Sequence, residues 1–230
     1  MGFGLTSNRA PPLAFAVVSL GIGLMGMTAG WFEAAPIFAS GFDEKDAFRA
    51  LSAGELAPGP STQSRNLVLN DCLTALNSFY GLAQPSEERR RVTEQCREIA
   101  GDIAKQTPSM SLAWLVQATT GAERQDWASF NLDLQRSRFT APNEEWLAAL
   151  RVDLAERHLA DLDAKSQADH RDDLRLMAQS TAGAAALAER YVAFPDFRDR
   201  VTPLIGDLSP NVQRAFLAAV TEAHKRQGGR

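Results

Sequence analysis

The chain has little of what chemistry usually requires. Its two cysteines are too few for a disulfide-rich scaffold or a four-ligand zinc site, though they suffice for one bridge. The three histidines, His158, His170 and His224, fall at polar helix positions without an HExxH pair. They therefore read as solvated surface residues, and no metal site is expected. There is no GxSxG elbow and no glycine-rich loop following a strand, so no nucleophile elbow and no cofactor are expected. Asp161, Asp163, Asp169, Asp172 and Asp173 cluster but lack the order of a calcium loop, and they read as helix-capping acids. Neither sign of charge dominates. Twenty-four Lys and Arg are interspersed with 28 Asp and Glu for a net charge of -4, which leaves no electrostatic footprint for nucleic acid. Glu87, Glu88, Arg89, Arg90 and Arg91 form a mixed run that reads as a solvated first helical turn.

Strand signals are also missing. After Asn66 the apolar residues recur at helical spacing, and no alternating β-branched stretch is bounded by turn residues. The fold class is all-α. With 45% hydrophobic and 23% charged residues the chain can bury a core, and 230 residues allow one ordinary domain plus an appendage.

The appendage is the N-terminal run. Between Arg9 and Glu33 no side chain is charged, a span of about 23 residues that would rise roughly 35 Å as a helix, enough for a hydrocarbon core of about 30 Å. Gly21, Gly23, Gly26 and Gly30 would weaken a water-soluble helix but are tolerated in membrane helices. A cleaved signal is the rival reading. Small residues stand poorly at the required spacing near Ala34 and Ala35, where only Thr28 with Gly30 is tolerable; no cysteine follows for lipidation, and Trp31 with Phe32 suit an interfacial aromatic belt. A single-pass anchor is preferred over a cleaved signal. Arg9 precedes the run while Glu33, Asp43, Glu44 and Asp46 follow it, so the N-terminus is expected in the cytoplasm and the body outside, as in a periplasmic domain on an inner membrane. Gly26 and Gly30 form a small-xxx-small pair through which two anchors could pack into an oligomer.

The expected organisation is a cytoplasmic segment at 1–12, a transmembrane helix at 13–32, a tether at 33–65, an extracytoplasmic helical domain at 66–226 and a frayed tail at 227–230. Pro36, Gly41, Gly54, Pro58, Gly59 and Pro60 carry the tether reading, with a short helix over 44–52. In the body, a helix over 67–80 puts Leu69, Cys72, Leu73, Leu76 and Tyr80 on one face, and the next puts Val92, Cys96, Ile99 and Ile103 on one face. Joined by a short loop, the two read as an antiparallel hairpin. Cys72 and Cys96 lie twelve residues on either side of Gln84, at the same level of that hairpin. An oxidising compartment would bridge them, and a reducing one would leave two small buried thiols.

Further helices are expected from about Ser109 to Gly121 and from Gln125, carrying Trp127, Phe130 and Leu134. Others follow from an Asn143 cap to Leu162, from Ala168, over 184–194, and from Ser209-Pro210 with Val212, Phe216, Leu217 and Val220 inward. Pro108 and Pro142 stand 34 residues apart, and Trp114 and Ala118 occupy places where a tetratricopeptide repeat has an aromatic and a small residue. The stretch resembles a degenerate tetratricopeptide unit, although Phe130 stands where the second helix usually has Ala and Gly121 replaces the usual Tyr. A generic helical pair fits the same residues.

The resemblance and the anchor together imply a non-enzymatic interaction or scaffold protein. Its partners would be the membrane and another protein, as in an accessory to an envelope or polysaccharide assembly complex. The alternatives are a cleaved soluble binding or chaperone module and an all-α enzyme.

Overall fold

The computed structural model describes residues 12–41 and 43–228, so Arg9 and most of the expected cytoplasmic segment lie outside the described residues. Among those described, every regular element is helical, in keeping with the all-α reading. The helices are α1 (Pro12–Ser40), α2 (Glu44–Ala53), α3 (Thr62–Asn77), α4 (Phe79–Leu82), α5 (Ser86–Gln106) and α6 (Ser111–Glu123). They continue with α7 (Trp127–Thr140), α8 (Glu145–Arg157), α9 (Ala164–Ala178), α10 (Thr181–Ala193), α11 (Pro195–Gly206) and α12 (Pro210–Gly228). Side-chain caps set many of the starts. Asp43, Ser61, Asp126, Asp163 and Ser180 each accept a backbone N–H of the first turn they precede, satisfying donors that have no partner inside the helix.

Two buried clusters share α8. Leu147, Leu154 and Ala155 join a core built from Phe48, Leu51, Val68, Val92, Leu112 and Phe130, whereas Ala148 and Val152 join a second one with Leu174, Met177, Leu187, Phe197 and Phe216. A helix with apolar residues on opposite faces has to be buried from both sides.

From α2 onward the chain passes back and forth between two ends. At one end Glu33 accepts from Ser61, Arg65 donates to Thr107 at 2.6 Å, Ser111 donates to the Ser137 carbonyl at 2.8 Å, and Ser180 donates to Glu145 at 2.6 Å. At the other end Arg157 donates to Asn77, Arg89 pairs with Glu123, and the Asp163 N–H donates to Asn131 at 2.9 Å. Turns 54–61, 107–110 and 141–144 therefore share the first end, and 78–85, 124–126 and 158–163 the second.

Several expectations are corrected. The segment read as a tether is part of the packed body: α1 runs on to Ser40, and Phe48, Leu51 and Leu56 belong to the first core. The residues that punctuate it close a tight corner there instead of freeing the chain. The Gly59 N–H donates to buried Ser64 at 2.7 Å, and Ser61 caps α3. A full helix also follows from Pro195, between the helices expected over 184–194 and from Ser209-Pro210. Proline at the first helical position has no N–H to lose, and Phe197, Val201, Leu204 and Ile205 bury one face. Leu217, expected inward, is 62% exposed, while Val212 and Val220 pack against the second core. Helix α12 continues through Gly228, into the segment expected as a frayed tail, and residues 229–230 lie outside the described ones.

Candidate functional site

From Phe15 to Ser40, α1 is long and apolar enough to cross a membrane. It spans about 39 Å at about 1.5 Å per residue, and Phe15, Leu20, Ile22, Met25, Trp31 and Phe32 are all exposed. Gly26 and Gly30 lie in this part, and a Cβ at either would meet no other atom of the chain within 4 Å. One turn later the environment changes. Glu33 accepts from the Ser61 N–H at 2.8 Å and from its hydroxyl, tying α1 to the start of α3. Gly59 lies so close that a Cβ would stand 2.8 Å from the Phe32 carbonyl oxygen. Pro36 and Ser40 are buried. The helix that could cross a bilayer is thus built into the body by its own last two turns.

Beside this joint, Ile37, Ser40, Ala47 and Asp71 help to line a cavity of about 670 Å³. Burial pushes the Asp71 carboxyl above its usual range, against a lowering by the Ser40 hydroxyl, and Asp71 Oδ2 is buried without a partner.

Cys72 on α3 and Cys96 on α5 are both fully buried and stand at disulfide distance, with Cα atoms 5.6 Å apart. Each occupies the apolar face expected of it, so the symmetric placement about Gln84 translates into a shared level between neighbouring helices.

The histidine and aspartate readings need revision. Only His224 is a solvated histidine. His158 is half-buried against the rings of Trp127 and Phe130, both at 5.7 Å, and burial, with the charge of Arg157, holds it below its usual range. His170 is 7% exposed; its Nε2 lies 2.8 Å from Glu156, which also pairs with Arg200 of α11. Burial pushes Glu156 up, but the His170 hydrogen bond and the charges of His170 and Arg200 outweigh it, and the carboxyl sits below its usual range. Of the five aspartates only Asp163 caps a helix. Asp169 is buried beside Lys165, and Asp172 pairs with Arg175 on the surface.

Asp173 is the most deeply placed of the five. Arg151 Nε and Nη2 donate to its two oxygens at 2.7 and 2.8 Å, Arg138 Nε lies 3.2 Å away, and Arg151 and Asp173 are each 2% exposed. This cluster ties the end of α7 to α8 and α9. The run at 87–91 is also not wholly solvated, because Arg89 reaches across to Glu123 on α6.

A sequence signal for these groups did exist. Ser166, Asp169, His170 and Asp173 continue the stripe of Leu174 and Met177 back along α9 at spacings of three and four, so they lie on its buried face. Among the described residues no group of three or more His, Cys, Asp or Glu is placed to hold a metal ion. Comparison with protein-family models, with curated proteins and with solved structures finds no match for this chain. The joint of α1 with the body is accordingly the arrangement that bears most directly on function.

Proposed function

We propose that this chain is a single-pass membrane protein whose helical body stands outside the cytoplasm and binds another protein without catalysing a reaction. The observation that carries the reading is the division of α1: apolar and exposed from Phe15 to Phe32, then fixed to the body from Glu33 onward. A cut before Trp31 would keep Glu33 and its bonds to Ser61 inside the mature body, so the preference over a cleaved signal rests on the poor spacing of small residues near Ala34 and Ala35 and on Trp31 with Phe32 as an interfacial belt. Orientation is supported by Arg9 ahead of the run and by Glu33, Asp43, Glu44 and Asp46 after it.

For the binding surface, a tetratricopeptide-like reading of successive helix pairs favours the groove between α3, α6 and α8. There Leu73, Leu115, Leu150 and Leu154 form an apolar floor under a rim with Asn77 and Arg157, enclosing about 340 Å³. The partner fits the role of an envelope assembly complex to which this protein is an accessory, and a second copy could join through Gly26 and Gly30.

Fractionation tests the reading, combined with the mass of the mature chain under non-reducing conditions and protease added to the outer side of the membrane. An intact chain in the membrane fraction, with its body digested from outside, is expected. A soluble chain beginning near Trp31 would refute the anchor, and a body digested only from the cytoplasmic side would refute the orientation. Cross-linking from a photoreactive residue at Leu150, compared with one at exposed Leu217, then tests the groove.

A further inference from the structure

We infer that the end of the body from which α1 projects rests on the bilayer, with Phe139 and Trp146 seated in the lipid headgroup region. Helix α1 enters at the end that holds Ser61, and its apolar part extends away from the body there. Whatever else occupies that end faces the lipid. The hydrogen bonds from Ser61 through Arg65, Thr107, Ser111 and Ser137 lead across it to the turn between α7 and α8.

Phe139 in the last turn of α7 is 85% exposed, and Trp146 in the first turn of α8 is 50% exposed. At the same end, near the start of α6, Trp114 donates its indole N–H to the Pro108 carbonyl at 2.8 Å beneath the guanidinium of Arg136, 4.7 Å away. On α1, Trp31 and Phe32 directly precede Glu33, which accepts from Ser61 at this end. Aromatic rings with one wet edge are the side chains that settle at a membrane interface.

Exposure alone would not choose this end, because Phe79 and Phe194 are exposed at the other. The emergence of α1 chooses it. Charges on the bilayer-facing end are mixed, with Arg65, Lys105 and Arg136 against Glu55 and Glu144, so a zwitterionic surface suffices and no anionic lipid is needed.

The inference rests on α1 spanning the bilayer, and one experiment separates the two. Variants of the full chain that keep a single tryptophan are placed in phosphatidylcholine nanodiscs with bromine near the top of the acyl chains. The tryptophan kept is Trp31, Trp146 or one introduced by Phe79→Trp, with the others changed to Phe. Quenching of Trp31 and Trp146 to similar extents, with the Phe79→Trp probe unquenched, is expected. If Trp31 is quenched and Trp146 is not, the contact with the bilayer is overturned while the anchor stands, and that end is left to a protein partner. If Trp31 is not quenched, the anchor itself fails.

Should a variant lose its helicity, hydrogen exchange of the native chain asks the same question. Segment 138–146 is expected to exchange more slowly in nanodiscs than in detergent while 79–86 is unchanged; equal exchange of 138–146 in both would overturn the proposal.

Discussion

Replacing Asp173 by Asn removes the carboxylate that Arg151 and Arg138 share. Arg151 donates to it through a fork at 2.7 and 2.8 Å, and its remaining contacts are long, to the carbonyls of Ser137 and Ala141 at 3.5 and 3.4 Å. At 2% exposure water cannot take the place of the lost acid. Leaving a buried charge without its partner costs about 3–5 kcal/mol. For a domain of this size each kcal/mol moves the melting temperature by about 2–4 °C, so Asp173→Asn should lower it by roughly 6–20 °C. Arg151→Met is different, because Asp173 keeps Arg138 at 3.2 Å and the site goes from two cations per acid to one. That change should cost about 1–3 kcal/mol. Thermal and urea unfolding of the full chain in detergent, followed by far-ultraviolet circular dichroism, measures both. Equal losses for the two variants, or a loss under about 1 kcal/mol for Asp173→Asn, would refute the view that buried Arg151 and part-buried Arg138 depend on one carboxylate.

Three further outcomes are expected. Cys72→Ser with Cys96→Ser removes a cross-link closing 24 residues, and if the pair is oxidised in the native chain the double variant should lose about 3–4 kcal/mol in the same unfolding experiment. Thiol titration with and without denaturant checks the premise, since free thiols appearing on denaturation alone would show the pair reduced. Asp71 holds its proton in the folded chain at a pH where the unfolded chain has lost it, so stability should decline as pH rises from the ordinary carboxylate value through the raised one. Asp71→Asn should therefore raise the melting temperature at neutral pH and leave it unchanged below the ordinary carboxylate range, and a gain equal at both would point to some other cause. A Cβ at Gly183 would stand 2.8 Å from Met177 Cα, whereas one at Gly206 meets nothing within 4 Å. Gly183→Ala should thus destabilise the fold, while Gly206→Ala should stabilise it by about 0.5–1 kcal/mol, and melting curves of the pair decide.

Much of the architecture was legible in single residues. The uncharged run ahead of Glu33, the helical spacing of Val92, Cys96, Ile99 and Ile103, and the placement of Cys72 opposite Cys96 all carried through to the structure. What escaped was of two kinds. Proline and glycine at 54–60 disrupt regular structure, and disruption looks alike in a free linker and in a corner that packs; the buried Leu56 and the short bond from Gly59 to Ser64 decide between them, and α1 lies against Gly59. Buried polar groups were the other. His170 read as a surface residue and Asp173 as a helix-capping acid because their types predict exposure, yet each has a partner on another helix that pattern alone could not assign. The joint was visible as a charge at Glu33, but not as an acceptor for Ser61, since that contact spans 28 residues and an intervening helix.

The absence of slack between α1 and the body fixes where encounters can occur. A domain on a flexible leash sweeps a volume and presents every side in turn; one that continues its own anchor stays at a single height and keeps one side turned to the bilayer. Anchored as proposed, this chain would drift along the membrane and spin about α1 but would not reach outward. A partner of such an anchored domain would also have to be held near the surface, where the search is confined to two dimensions with the heading of both molecules already restricted. Under those conditions a modest contact patch is enough, because the local concentration of the two partners replaces much of the affinity that a freely diffusing pair would need.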